Sequence, residues 1–223
     1  MTTRLMIYSG PVEPDAVTTR TGGLPLLPAE VEWPRCTCCG GTMQFLARIE
    51  QDGTVVDEAG APTGDRRVAQ VFMCDNDPGG CSTWEPLSGA NAVVVLPPGP
   101  APARPAPEEG RALLPVVGGV RFEESDAQPD PEDEFSDPYD TARMEWLGHP
   151  EKRVRDILGQ LGGTASWVQW EQSLFCPECR EPLRFLAQLE EGHDFRTRAN
   201  YGGGSAYVYL CPTHDLGAFF WQQ

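Results

Sequence analysis

The sequence predicts a β-rich α+β protein made of two related lobes that pack into one body. Three observations support this prediction: an internal repeat, a composition rich in turn-forming residues, and two matching sets of cysteines. The chain has 223 residues, of which 40% are hydrophobic, so a packed core is feasible. Its 24 glycines and 22 prolines favour turns and short strands over long helices.

The internal repeat lies at a constant offset of 140 positions. The string PRCTCCGGTMQFLARIE, residues 34–50, aligns without a gap with residues 174–190 of the segment SLFCPECREPLRFLAQLE, residues 173–190. The same offset places Gly22-Gly23 on Gly162-Gly163. We interpret the repeat as two copies of one structural unit.

The predicted organisation is a first lobe over residues 1–96, an insert over 97–145 and a second lobe over 146–223. The insert opens with six prolines between Pro97 and Pro107, a composition typical of an extended linker. Its stretch 121–145 carries a net charge of -8, half of the protein's -16, which predicts a mobile loop or a solvated face. A landing site for a basic partner is the sharper interpretation. The acids of this stretch are Glu123, Glu124, Asp126, Asp130, Glu132, Asp133, Glu134, Asp137, Asp140 and Glu145.

Helical periodicity is confined to two segments. Residues 150–161 predict an amphipathic helix that ends at Gly162-Gly163, and residues 137–147 favour a second, short helix. Alternating or uniformly apolar runs predict strands over 43–49, 68–73, 183–189 and 207–210.

The second lobe carries two ligand pairs with metal-site spacing. Cys176 and Cys179 form a CPEC motif, and Cys211 and His214 form a CPTH motif after 31 intervening residues. Two ligands three positions apart can point into one tetrahedron, and a hairpin can return the second pair to the first. These four side chains are therefore predicted to hold zinc.

The first lobe repeats the arrangement with cysteines alone. Cys36 and Cys39 align with the first pair, and Cys74 and Cys81 take the places of the second. Cys38 is left over, as a spare thiol or as an alternative ligand to Cys39. Four protein ligands leave no open position, so the sequence predicts two structural Zn²⁺ ions. In full, the predicted fold is two pseudo-repeat lobes, each with a zinc-ribbon-like knuckle and a β-hairpin.

Composition also bears on partners and location. A net charge of -16 and a pI near 4.5 disfavour nucleic acids and acidic membrane surfaces, and are compatible with a basic protein partner. Lys152 is the sole lysine, a bias that indicates a high-G+C bacterial gene. With no leader-like segment and no 18-residue apolar run, we expect a cytoplasmic protein, where cysteines favour metal over disulfides.

Several motifs resemble a known family. GGLPLLPAEVEWP (residues 22–34) with FLARI (45–49), and LGGTASWVQ (161–169) with FLAQL (185–189) and YVYLCP (207–212), are similar to the YwqG-like family of unknown function. The cysteine-bearing version also resembles the programmed-cell-death-protein-2-like group, whose eukaryotic members are dedicated chaperones for a ribosomal protein. The resemblance implies a β-rich fold of two related halves and a binding role.

Two positions depart from the pattern. Thr164-Ala165-Ser166 replaces the proline-containing turn that follows the first Gly-Gly, and Arg48 stands where the second lobe has Gln188. The resemblance therefore implies related lobes that are not functionally equivalent.

We expect a zinc-stabilised protein-binding module, chaperone-like or adaptor-like, and no enzymatic activity. The candidate contact residues are Trp33, Trp84, Trp167 and Trp170, each of which could equally belong to the core. One alternative is an immunity protein that neutralises a bacterial toxin, since YwqG-like proteins look like neighbours of toxin genes. The other is a zinc- or cysteine-dependent enzyme, with Cys38 as the candidate nucleophile. The sequence leaves the partner and the oligomeric state open.

Overall fold

The computed structural model describes residues 2–133, 136–196 and 198–223. Glu134, one of the acids of the predicted mobile stretch, lies outside these residues. The regular structure of the described residues is one ten-stranded sheet, one α-helix and one short 3-10 turn. All neighbouring strands of the sheet run antiparallel.

The elements follow one another along the chain as β1 (Thr3–Pro11), β2 (Arg20–Thr21), β3 (Gln44–Glu50), β4 (Val68–Met73), β5 (Asn91–Leu96), β6 (Gly118–Ser125), α1 (Pro138–Leu147), the 3-10 turn (Val154–Asp156), β7 (Ile157–Leu161), β8 (Arg184–Leu189), β9 (Ser205–Leu210) and β10 (Gly217–Gln222). Their order across the sheet is β10-β9-β8-β7-β1-β6-β2-β3-β4-β5. The order is symmetric about the pair formed by β1 and β6.

Each half of the repeat is preceded in the chain by a strand that pairs with the other half. Strands β2 to β5 and β7 to β10 are the two copies, which lie on opposite sides of the sheet. Strand β1 precedes the first copy in sequence but pairs with β7 of the second, and β6 precedes the second copy but pairs with β2 of the first. The halves are therefore interlocked in one sheet.

The repeated Gly-Gly and Phe-Leu-Ala motifs contact each other in both halves. The Gly22 N–H donates to the Leu46 carbonyl at 2.7 Å, and the Gly162 N–H donates to the Leu186 carbonyl at 2.7 Å. Leu46 and Leu186 occupy equivalent irregularities of the strand register in β3 and β8. Gly22 has a φ of 69°, a left-handed conformation that glycine adopts readily. The motifs recur together because each Gly-Gly turn pairs with the carbonyl that a bulge frees from the ladder.

The predicted fold class is wrong. The structure is nearly all antiparallel sheet with a single ten-residue helix, not an α+β fold of zinc-ribbon lobes. The cysteine motifs lie at strand ends of one continuous sheet. The repeat suggested separable lobes because sequence similarity does not show which copy a strand pairs with.

The predicted helix over residues 150–161 is also wrong. The segment contains the 3-10 turn and then β7, all five residues of which are buried between β1 and β8. A short apolar run fits a buried strand as well as a helix, and tertiary pairing decides between them. The short helix expected over 137–147 is confirmed as α1, which Asp137 caps by accepting from the Asp140 N–H at 2.9 Å.

The stretch 121–145 contains ordered structure rather than only a mobile loop. Residues 121–125 belong to β6 at the centre of the sheet. Buried and solvent-facing positions are mixed along this strand, as expected for a strand with one solvated face. Helix α1 packs Tyr139, Ala142 and Trp146 against β1 and the start of β7. The proline-rich residues before β6 also contact the first half, since the Leu27 N–H donates to the Pro102 carbonyl at 3.0 Å.

The edge strands of the sheet approach each other and nearly close it. A bridge joins Val94 of β5 to Leu216, and the Asn91 amide donates to the Phe219 carbonyl of β10 at 2.9 Å. The main core, which includes Met6, Val71 and Val208, lies inside this curved sheet. Among the described residues, no helix has the length and apolar character needed to cross a membrane.

Candidate metal centres

The first cluster joins the turn before β3 to the end of β4. Cys36 and Cys39 lie on the turn, Cys74 directly follows β4, and Cys81 lies on the loop after it. Their sulfur atoms all lie within 4.8 Å of one another, and those of Cys39 and Cys74 are 3.6 Å apart. This arrangement could hold a metal ion.

Backbone hydrogen bonds give the first turn its shape. The Cys36 N–H donates to the Gly41 carbonyl at 2.9 Å, and the Gly40 N–H donates to the Cys36 carbonyl at 2.8 Å. Gly40 is left-handed, with a φ of 71°. The Cys74 N–H donates to the Ala90 carbonyl at 2.9 Å, so the end of β4 is fixed as well.

The surroundings of the first cluster favour a thiolate at the exposed Cys39 and disfavour thiolates at the buried Cys74 and Cys81. The Gly41 N–H donates to the Cys39 sulfur at 3.4 Å and lowers the pKa of that thiol. Asn76 donates to the Cys74 sulfur at 3.4 Å, but burial outweighs this bond and raises the pKa of Cys74. Burial likewise raises the pKa of Cys81. A bound cation would stabilise these two thiols as thiolates.

Cys38 lies outside the quartet. It is exposed, and its sulfur is 3.9 Å from the Gly80 carbonyl oxygen. The group of four that could hold an ion contains Cys39, not Cys38.

The second cluster repeats the arrangement between β8 and β9. Cys176 and Cys179 lie on the turn before β8, Cys211 directly follows β9, and His214 lies three residues further on. All four ligand atoms lie within 4.8 Å of one another. The Cys179 and Cys211 sulfurs are 3.7 Å apart, and the Cys211 sulfur is 3.5 Å from His214 Nδ1. This group could also hold a metal ion.

Polar neighbours orient the second cluster. His214 points Nδ1 at the sulfurs, while its Nε2 lies 3.4 Å from a carboxylate oxygen of Glu178. A carboxylate on the far nitrogen of a ligating imidazole fixes its tautomer and raises its basicity. The Thr213 hydroxyl donates to the Cys179 sulfur at 3.7 Å. Sequence reasoning did not identify Glu178 or Thr213, although both lie next to predicted ligands.

Hydrogen bonds also tune the thiols of the second cluster. Burial acts to raise the pKa of Cys211, but bonds from Thr213 and His214 outweigh it and bring the pKa to about 6. The hydrogen bond to Cys211 in turn raises the pKa of His214. The Glu181 N–H lowers the pKa of Cys179. The Cys179 N–H acts to lower the pKa of Cys176, but burial and the neighbouring thiols outweigh it and raise that pKa. The second cluster therefore favours thiolates at Cys179 and Cys211.

Arg67 connects the first half of the molecule to the second cluster. Its guanidinium donates to the His214 and Cys211 carbonyls, at 2.7 Å each, and pairs with Asp65 at 2.6 Å. Arg67 directly precedes β4, far from these partners in sequence. No pattern in the sequence pointed to this role, because the contact exists only once the sheet has curled.

The four tryptophans proposed as contact residues divide into two pairs. Trp33 and Trp167 pack against the cores beside the two clusters, and Trp33 donates to the Met43 carbonyl at 2.8 Å. Trp84 and Trp170 are 41% and 63% exposed. These two line the same cleft, which we call the tryptophan cleft, together with Trp221 of β10.

The tryptophan cleft has a volume of about 810 Å³ and lies where the two halves meet. Its first wall is the loop that carries Cys81 and Trp84, and its second is β10 with residues 169–172. Cys74 of the first cluster lies in its lining. The sequence did not indicate Trp221, the third tryptophan of the cleft, because it lies in β10, for which no strand was predicted. The other two histidines lie outside both clusters: His193 stacks on Tyr8 and pairs with Asp156, and His149 is exposed.

Comparison with known proteins yields little that bears on activity. No family model matches the chain. A curated protein of Salmonella typhimurium (strain LT2), described as the uncharacterized protein YpfL, is 35% identical over 66 residues, which cover 30% of this chain. The match spans only 15% of that protein's own length. The similarity is therefore local and carries no activity with it.

Proposed function

We propose that this chain is a protein-binding module, chaperone-like or adaptor-like, whose two halves are each stabilised by a structural zinc ion. The observation that carries the proposal is the pair of four-ligand clusters, each of which brings four ligand atoms within 4.8 Å of one another, enough to occupy every position of a tetrahedral ion. A zinc ion with four protein ligands stabilises a fold, whereas a catalytic zinc keeps one position for water. Such a metal supports a binding surface rather than a reaction.

The spacing of the ligand atoms supports zinc. Zn–S bonds of about 2.3 Å in a tetrahedron place two sulfurs about 3.8 Å apart, and a Zn–N bond of about 2.1 Å places sulfur and nitrogen about 3.6 Å apart. The Cys39–Cys74 and Cys179–Cys211 sulfur pairs are separated by 3.6 and 3.7 Å, and His214 Nδ1 lies 3.5 Å from the Cys211 sulfur and 3.9 Å from the Cys176 sulfur. Thiolate and imidazole donors in this geometry are typical of zinc.

The binding role is supported by the exposed side chains. Trp84 and Trp170 lie on the surface of one cleft, and large exposed aromatic groups mark binding sites more often than scattered aliphatic ones do. The negative charge of the chain favours a basic partner. We keep as part of the proposal a relationship to the YwqG-like and programmed-cell-death-protein-2-like proteins, which rests on the sequence motifs that the two halves share with them.

The test is an affinity purification from a bacterial lysate with quantitative mass spectrometry of the captured proteins. The wild type and a Trp84→Ala/Trp170→Ala double variant are compared at matched zinc content. We expect one stoichiometric protein that the double variant fails to capture; a toxin in that position would make the chain an immunity protein. Equal capture by both forms, or capture of nothing, would contradict a binding role for this cleft.

A further inference from the structure

The tryptophan cleft has walls that are fixed before any ligand binds. Trp221 donates from its indole nitrogen to the Thr83 hydroxyl at 3.0 Å, which ties β10 to the loop of Trp84. The Trp84 and Trp221 rings meet edge to face, with centroids 6.2 Å apart at an angle of 79°. An aromatic surface held in this way loses little conformational entropy when it binds a ligand.

The second wall is fixed by one buried amide. Gln222 is only 4% exposed, accepts from the Gln169 N–H at 3.0 Å and donates to the Trp170 carbonyl at 2.8 Å. These bonds hold the backbone of Trp170 while its ring stays exposed. The cleft therefore presents indole rings on both sides.

The charged groups that line the cleft are acidic. Asp75 and Glu85 lie in its lining, and no lysine, arginine or histidine does among the described residues. Asp75 pairs with Arg111 at 3.5 Å; the Arg111 side chain is 81% exposed, and the Asp75 side chain is 15% exposed. Because the Arg111 side chain lies mostly in solvent, it is held weakly, so a ligand cation can compete with it for the carboxylate.

We propose that the tryptophan cleft binds a cationic side chain, lysine or arginine, carried by an extended segment of a partner protein. The cation lies against the indole faces, which attract it through their quadrupoles, and its charge is balanced by Asp75 or Glu85. Arginine fits best, because its planar guanidinium both stacks on indole and pairs with a carboxylate. This inference rests on the proposed protein-binding function and assigns its ligand.

The test uses a fluorescein-labelled twelve-residue peptide of alternating glycine and arginine, and the same peptide with citrulline, a neutral isostere, in place of arginine. Binding to the full chain is followed by fluorescence anisotropy at 150 mM salt. We expect the citrulline peptide and the Trp84→Ala and Trp170→Ala variants each to weaken binding about tenfold. Phe175→Ala, which removes an aromatic side chain that is 53% exposed and outside the cleft, leaves the affinity unchanged.

Four results would overturn the inference. Equal affinity for the two peptides would show that the charge is not recognised. Equal loss in Phe175→Ala, or no loss in the tryptophan variants, would show general attraction of a basic peptide to an acidic protein. Absence of any peptide binding, together with capture of a partner that still depends on Trp84 and Trp170, would leave the proposed function in place without a cationic ligand.

Discussion

At the residue scale, the two turns that carry Cys36–Cys39 and Cys176–Cys179 have different residues at the same left-handed position. Gly40 has a φ of 71° in the first turn, and its equivalent Arg180 has a φ of 66° in the second. The Arg180 N–H donates to the Cys176 carbonyl at 2.9 Å, as the Gly40 N–H does to that of Cys36. A residue with a Cβ pays a conformational penalty here that glycine avoids.

We therefore expect Gly40→Ala to lower the free energy of unfolding by about 1 kcal/mol. A Cβ at Gly40 would have no heavy atom within 4 Å, so the backbone conformation alone would cause the loss. The matched reverse change, Arg180→Gly, should leave stability unchanged or raise it. Urea denaturation at constant zinc measures both; a stable Gly40→Ala protein would show that the turn is not held in the left-handed conformation.

A second residue-scale prediction concerns pH. Burial raises the pKa of Glu190, which accepts from the Tyr139 hydroxyl at 2.8 Å, while Arg143 acts in the opposite sense. The folded state thus binds the proton more tightly than the unfolded state, whose carboxyl has a pKa near 4.3. The contribution of this group to stability is complete below that value and is lost as pH rises through the folded pKa.

The Glu190→Gln variant keeps an acceptor for Tyr139 and removes the titration. Its stability relative to the wild type should increase as pH rises from about 4 to 7. Denaturant midpoints of the two proteins at several pH values give the comparison. Glu178→Gln is not used as a control, because Glu178 lies beside His214. A difference that is constant over this range would contradict the raised pKa.

One residue-scale difference between the halves could be seen in the sequence but not explained from it. Arg48 occupies the place of Gln188, whose side chain accepts from the Ser166 N–H at 3.0 Å. In the first half the equivalent backbone group, the Leu26 N–H, donates instead to Gln70 at 3.1 Å. In the first half the accepting glutamine therefore lies on β4, the neighbour of β3, and compensates for the arginine at position 48. This compensation is visible only in the strand register.

At the element scale, the contact of Arg67 with the loop 211–214 predicts that the second cluster depends on β4. Arg67→Ala frees the carbonyls of Cys211 and His214, and should weaken metal binding at the second cluster about 10- to 100-fold. The first cluster should be unaffected. The neighbouring exposed residue gives the control, Arg66→Ala.

Competition with chelators of graded affinity measures this prediction, because ions held at two separate sites would be removed independently. The wild type and Arg66→Ala should release two ions over similar ranges, and Arg67→Ala should release one of them much earlier. If Arg67→Ala released its two ions over the same range as the wild type, the loop 211–214 would be shown to hold its shape without Arg67.

The sequence predicted the elements that carry a local signal. Strands β3, β4, β8 and β9 were expected nearly at their observed bounds, because each is a compact apolar run between turn residues. The sequence pattern predicts a helix where β7 lies, and it predicts no strand for β6, which overlaps the acidic segment. Both are central strands, and their conformation is decided by pairing with distant parts of the chain.

At the scale of the whole molecule, the exchange of β1 and β6 predicts that the halves cannot fold separately. Residues 1–107 contain β1 without either of its neighbours, and residues 108–223 contain β6 without β1 or β2. We expect each fragment alone to be largely unfolded even with zinc, because it leaves central strand edges unpaired. The two fragments together should reassemble.

Amide dispersion in nuclear magnetic resonance spectra of the separate and mixed fragments tests this prediction. A chain cut between Pro107 and Glu108 after folding is the control, because it contains the same two pieces. A folded fragment with one bound metal ion would contradict the interlocked arrangement.

The repeat and the composition of both clusters could be predicted from the sequence, because aligned cysteines at a constant offset are a local pattern. The connectivity of the halves and the tryptophan cleft could not. The cleft needs Trp84 from the first half and both Trp170 and Trp221 from the second, which meet only when β5 and β10 close the sheet.

The central claim is that each half contains one closed zinc site, and native mass spectrometry tests it most directly. The wild type should carry two zinc ions per chain, and Cys39→Ser and Cys179→Ser should each carry one. Cys38→Ser, which removes a thiol outside the quartets, should keep both. A wild-type chain with one ion or none, or a Cys38→Ser chain that loses one, would contradict the account.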